Sequence, residues 1–139
     1  MFVIIMGCGR VGARLALMLE QEGHEVTVLD KDPAAFDRLG SGFRGVTIAG
    51  NGIDIDVLQR AGIERADAFA AVTQGDNRNI MASQIAKNVF SVPKVVTRIY
   101  DPIRSDTFKA LGLEAFSPTV IGASVFFSLV TGAEAPELK

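Results

Sequence analysis

The chain holds one cysteine, one histidine, one tyrosine and no tryptophan in 139 residues. A lone cysteine, Cys8, excludes an internal disulfide framework and suits a reducing compartment. With one histidine beside it in the inventory, a dedicated His/Cys metal site has no basis. That histidine, His24, follows Gly23 between a helix and a strand and reads as structural. No serine or cysteine stands in a nucleophile motif, so hydrolytic triads have no support. Charge is also sparse: 22% of residues are charged and the net charge is -2, which gives none of the basic footprint of nucleic-acid binding. No apolar run reaches the roughly 20 residues that span a bilayer. Val120 to Val130 is too short. Met1 to Met6 lacks a basic leader and flows into glycines, unlike a signal peptide. What remains is 48% apolar residues in a chain sized for one domain with its own core, expected in the cytoplasm.

Glycine is what the chain has in a telling place. Phe2 to Met6 is an apolar run that reads as a buried strand, and Gly7, Gly9 and Gly12 follow it directly. A helical pattern then runs from Gly12 to Glu22, with Val11, Leu15, Met18 and Leu19 on one face. This is Gly-x-Gly-x-x-Gly between a strand and a helix, the setting in which the motif has physical meaning. Gly7 permits the tight turn, Gly9 lets the backbone approach a pyrophosphate, and Gly12 lets the helix pack on the strand. The helix then aims its first amides at the phosphates. The pattern points to an adenine nucleotide or dinucleotide.

Short β-branched runs alternate with helical segments to the end of the chain. Strands are expected at 25–30, 45–49, 68–73, 94–99 and 115–116. Helices are expected from Asp32-Pro33 to Leu39, Ile53 to Ala61, Asn77 to Val89, Arg104 to Leu111, and Ser117-Pro118 to Val130. Crossovers of this length imply parallel pairing, hence an α/β, Rossmann-like, doubly wound parallel sheet of about six strands. Residues 1–130 form the expected domain, and 131–139 a frayed tail or cut linker.

Asp30 ends the second strand, 18 positions after Gly12, where a carboxylate can accept from ribose hydroxyls. It would repel a 2′-phosphate, favouring NAD(H) or ATP/ADP over NADP, an exclusion that Lys31 weakens only slightly. The plainer alternative is a strand-end cap. Arg10 within the turn is shaped to grip phosphate, in its own subunit or a neighbour's, and Val11 next to it belongs to the same candidate contact. Cys8 reads as a small filler. Thr73, Asp76 and Asn79 sit at the carboxyl end of the fourth strand, where they can meet phosphate, ribose or nicotinamide, and the same segment can also cap a helix. Arg98 is a charge in an apolar strand. Either a ligand phosphate or Asp76 pairs with it, or it lies at an exposed strand end.

Taken together, these residues resemble the RCK (regulator of K+ conductance) N-terminal domain family, called KTN or TrkA-N in bacterial Trk and Ktr potassium-uptake systems. The resemblance rests on Ile5-Met-Gly-Cys-Gly-Arg-Val-Gly12, Gly23-His-Glu-Val-Thr-Val-Leu-Asp30 and Gly50-Asn-Gly-Ile53, followed by Ala66-Asp-Ala-Phe-Ala-Ala-Val-Thr73 with Asp76 and Asn79, Thr97-Arg-Ile, and Gly112-Leu-Glu-Ala-Phe-Ser-Pro118. It implies regulation rather than catalysis. NAD(H) or ATP/ADP would gate a membrane-embedded potassium-conducting subunit, through homodimers built into an octameric ring at the inner face of the membrane. It also implies phosphate contact at Gly7, Gly9, Gly12 and Arg10, ribose contact at Asp30 and adenine near Asn51. The last helix, 120–130, would be a crossover helix packed on a partner copy, against the alternative of a helix buried within its own domain. Asn51 and Asn77 depart from the family's usual aspartate and frequent glutamate. The rival function is the nucleotide-binding domain of an NAD-dependent oxidoreductase without its substrate domain.

Overall fold

A computed structural model describes residues 1–134. Six parallel strands form one sheet: β1 (Phe2–Met6), β2 (Glu25–Asp30), β3 (Val46–Ala49), β4 (Ala68–Ala71), β5 (Lys94–Arg98) and β6 (Glu114–Phe116). Their spatial order is β3-β2-β1-β4-β5-β6. The chain works outward from β1 to one edge and then restarts at β4 toward the other. The crevice between β1 and β4 therefore opens at the carboxyl ends of the strands, where such sheets bind ligands. Register aligns those ends: Met6 stands opposite Leu29 and Ala71, and Asp30 opposite Ala49.

The apolar run of β1 is buried on both faces, as a central parallel strand must be. Phe2, Ile4 and Met6 face a core with Val57, Leu58, Ile63, Phe69, Ala82 and Ala86. Val3 and Ile5 face the opposite core with Ala13, Ala16, Val26, Val28 and Leu39. Helix α1 (Arg10–Gln21) covers the second face. Helices α2 (Ile55–Arg60) and α3 (Asp76–Gln84) cover the first, and α4 (Ser105–Ala110) lies beside β6.

The expected α/β doubly wound sheet is present, with shifts at element ends. Helix α1 begins at Arg10 rather than Gly12, because extended Gly9 acts as its N-cap and Ala13 N–H donates to Gly9 O at 2.9 Å. Residues Pro33–Leu39 take 3₁₀ geometry behind Asp32, whose carboxylate accepts from Ala34 N–H. Helix α2 is shorter than expected, since Asp54 rather than Ile53 precedes it and caps Asp56 N–H. Helix α3 continues into a π-helical turn, Ile85–Val89.

Helix α5 (Pro118–Thr131) starts at Ser117, whose hydroxyl accepts from Val120 N–H. It does not fold back into the core: Phe126 is 70% and Leu129 76% exposed, and among its described residues only Ser128 is buried. Burial within its own domain, one of the two expectations, is thereby excluded. The expected tail falls partly outside the described residues, from 135 onward. Among the described residues no helix is long and apolar enough to cross a membrane.

Candidate functional site

The turn after β1 is built on a backbone that side chains would obstruct. Gly7 has φ +109°, and a Cβ there would stand 2.9 Å from Thr73 N. The turn thus lies against the end of β4, across the crevice. A Cβ on Gly12 would collide with the Gly7 carbonyl oxygen, so α1 can rise this close to its strand only on glycine. Gly7 N–H donates to Leu29 O at 2.8 Å, tying the turn to β2. Gly9 offers no side-chain cap, and the first turn of α1 carries no acidic residue. The first amides of α1 are therefore left for an outside acceptor, with the positive end of the helix dipole behind them.

Asp30 faces this turn from the end of β2. Its two carboxylate oxygens accept from Cys8 N–H at 2.8 Å and from Asp32 N–H at 2.9 Å. Each oxygen retains a second lone pair. Cys8 is fully buried. Burial, then the neighbouring Asp30 charge, push its thiol above the usual cysteine range, while Arg38 opposes them. That holds Cys8 as a protonated filler, not a nucleophile.

Across the crevice, Asn79 is 0% exposed. Its Oδ1 accepts from Thr73 N–H (3.1 Å) and Thr73 Oγ1–H (2.6 Å), and its Nδ2 donates to Thr73 O (3.0 Å) and Arg98 O (3.1 Å). Every hydrogen-bonding position of the amide is filled. Asn79 therefore joins the ends of β4 and β5 beneath the cleft; it does not stand on the cleft wall. Asp76 is likewise occupied: its carboxylate accepts from Tyr100 N–H (2.6 Å) and Asp101 N–H (3.0 Å). It lines an adjoining groove with Asn77, Tyr100 and Arg104, where Arg104 donates to Asn77 Oδ1.

Arg98 consequently has no salt bridge to Asp76. Its guanidinium lies 4.8 Å over the Tyr100 ring, and its buried Nε has no hydrogen-bond partner. A buried donor left unsatisfied costs about 1–3 kcal/mol, which makes this atom the one unexplained polar group in the region.

These parts enclose a cleft of about 280 Å³. Of the expected contacts, Gly7, Gly9, Arg10, Asp30, Lys31, Asn51, Thr73 and Arg98 line it. Val11, Gly12, Asp76 and Asn79 do not: Val11 is exposed on the flank of α1, and Gly12 and Asn79 are buried beneath. Sequence reasoning missed Arg38 and Arg78, both on the wall. Each reaches in from an element remote in sequence from the glycine turn; Arg78 lies between the candidates Asp76 and Asn79, and no sequence signal marks Arg38. The lining carries five cationic side chains against Asp30 and Asp32, in a chain whose net charge is -2. That concentration of cations suits an anion with several charges. Among the described residues there is no cluster of His, Cys, Asp and Glu able to hold a metal.

The sequence profile of the TrkA-N domain matches residues 3–118. The Trk system potassium uptake protein TrkA of Streptomyces coelicolor is 53% identical over 120 residues, covering 86% of this chain and 52% of that protein. The chain thus spans about half the length of that relative. Among solved structures, GsuK bound to ADP superposes with a TM-score of 0.81 at 23% identity, covering 96% of this chain and 34% of that one. The GsuK channel bound to NAD gives 0.81 at 23% identity, over 94% and 23%.

Proposed function

The chain belongs to the TrkA-N domain family, and on that footing we propose that it is the nucleotide-sensing part of a regulatory subunit in a potassium transport system. The observation that carries the reading is the cleft: a glycine turn that leaves helix amides open, the Asp30 carboxylate beside it, and a wall with five cationic side chains. Binding without a catalytic residue is what a sensor needs. The name of the Streptomyces relative supplies the potassium context.

The ligand of this reading is an adenine nucleotide, ATP/ADP or NAD(H), with Asp30 opposing the 2′-phosphate of NADP. Structural neighbours bound to ADP and to NAD support both classes. Charge favours the mononucleotides. A terminal phosphate suits the Arg78 and Arg98 side chains of the lining, whereas an oxidised dinucleotide carries a cationic nicotinamide ring. An oxidoreductase would need a group poised for proton transfer, and the acids of the lining, Asp30 and Asp32, already accept backbone N–H groups.

Helix α5 is the proposed contact with a second copy. Phe126, Phe127, Leu129 and Val130 are exposed, an apolar surface of the kind that marks interfaces. In this reading copies pair through α5, build a larger ring, and sit in the cytoplasm against a membrane-embedded potassium-conducting subunit. Nucleotides then act through different affinities for two arrangements of the ring.

Calorimetric titration of the full chain with ATP, ADP, NAD and NADH tests the proposal. Saturable binding of at least one, with NADP much weaker, is expected. Failure of all four to bind overturns it.

A further inference from the structure

The base end of the cleft carries a feature that the nucleotide reading leaves unassigned. With phosphates at the β1 turn and ribose at Asp30, the base must lie beyond β2. There the neighbouring strand is β3, paired through Asp30 opposite Ala49. The loop leaving β3, Gly50-Asn51-Gly52, lines the cleft at that point, with Leu29, Met6 and Ala35 as apolar walls. Its two glycines offer no side chain, so Asn51 is the polar side chain that this loop presents to a base.

The orientation of that side chain is fixed by chemistry. Ile53 N–H donates to Asn51 Oδ1 at 3.2 Å. Only the amide oxygen can accept, so Nδ2 is turned the other way with both protons free, and it has no partner among the described residues. Asp32, the acid on the adjoining wall, already accepts from Ala34 N–H as a helix cap. The base end therefore presents a free donor, together with the one lone pair that remains on Oδ1. A 6-amino group can use the lone pair, and a 6-oxo group can use the donor. A 6-oxopurine carries N1–H beside its 6-oxo oxygen and a 6-aminopurine a bare N1, so either base edge finds one donor and one acceptor on the amide.

We infer that Asn51 makes the base end permissive, so that the site takes 6-oxopurine as well as 6-aminopurine nucleotides. The inference rests on the proposed nucleotide site and specifies its base. Inosine diphosphate is the probe, because it replaces the 6-amino group of ADP by a 6-oxo group and adds no 2-amino group. Calorimetry on the full chain should give dissociation constants for ADP and inosine diphosphate within tenfold of each other. Asn51→Leu, close in volume, removes both donor and acceptor and should weaken ADP and inosine diphosphate alike, each at least threefold, as expected from loss of a base-reading pair. Wild-type discrimination above tenfold, or an Asn51→Leu variant that binds either nucleotide as tightly as wild type, overturns the inference and leaves the nucleotide site standing. Failure of both nucleotides to bind overturns the nucleotide site and the inference with it.

Discussion

Replacing Arg98 by methionine separates a residue kept for the fold from one kept for a ligand. Without nucleotide, two effects oppose each other. Removing the buried, unpartnered Nε relieves a desolvation penalty of about 1–3 kcal/mol. Removing the guanidinium from the Tyr100 ring, 4.8 Å away, forfeits about 0.5–2 kcal/mol. Methionine fills a comparable volume along the stem, so no large cavity term arises. The net change in unfolding free energy should lie between about 1 kcal/mol of loss and about 2.5 kcal/mol of gain. Nucleotide binding should weaken. A charge-assisted hydrogen bond contributes about 1.5–3 kcal/mol, or about 10- to 100-fold in affinity for ADP. Urea unfolding of the free protein and calorimetric titration of ADP measure the two quantities independently. A variant destabilised by more than about 2 kcal/mol with ADP affinity unchanged would refute the reasoning, because Arg98 would then be structural.

Asp30→Ala should weaken ADP binding by about 1–3 kcal/mol by calorimetry, and should also lower the urea midpoint, since Cys8 N–H and Asp32 N–H lose their acceptor. Native Cys8 should react with a thiol reagent more than about 100-fold slower than the denatured chain, because the group must first be exposed by opening. Its raised pKa favours the folded state below the ordinary thiol range, so stability should decline as pH rises through and above that range, an effect that Cys8→Ala abolishes in urea titrations. Joint replacement of Phe126 and Phe127 by glutamate should shift the chain to monomer in sedimentation analysis while leaving ADP binding unchanged.

The sheet was legible because its signal is local. A run such as Phe2–Met6 is apolar at every position only if both faces are covered, and spacing between such runs dictates crossovers. The glycine turn was legible for the same reason, since each glycine answers to a backbone constraint. The start of α1 was misplaced by two residues because a glycine N-cap carries no Ser, Thr, Asp or Asn to announce it. The π-helical turn at Ile85–Val89 was invisible, since five residues of helical composition do not reveal their hydrogen-bond spacing. Asn79 and Asp76 read as ligand contacts because polar residues at a strand's carboxyl end suit a ligand. Only the tertiary positions of Arg98 O, Tyr100 N and Asp101 N reveal that their hydrogen bonds are already made. Arg38 and Arg78 enter the cleft by folding alone.

The bonds made by Asn79 and Asp76 also constrain how the far wall can behave. Between them they clamp Thr73, Arg98, Tyr100 and Asp101 before any ligand arrives. A wall already stitched in this way has little conformational entropy left to surrender, so binding there should show a small ordering penalty. It also has little capacity to melt or refold on binding. Any displacement passed onward must therefore carry the β4 and β5 ends together as a rigid unit.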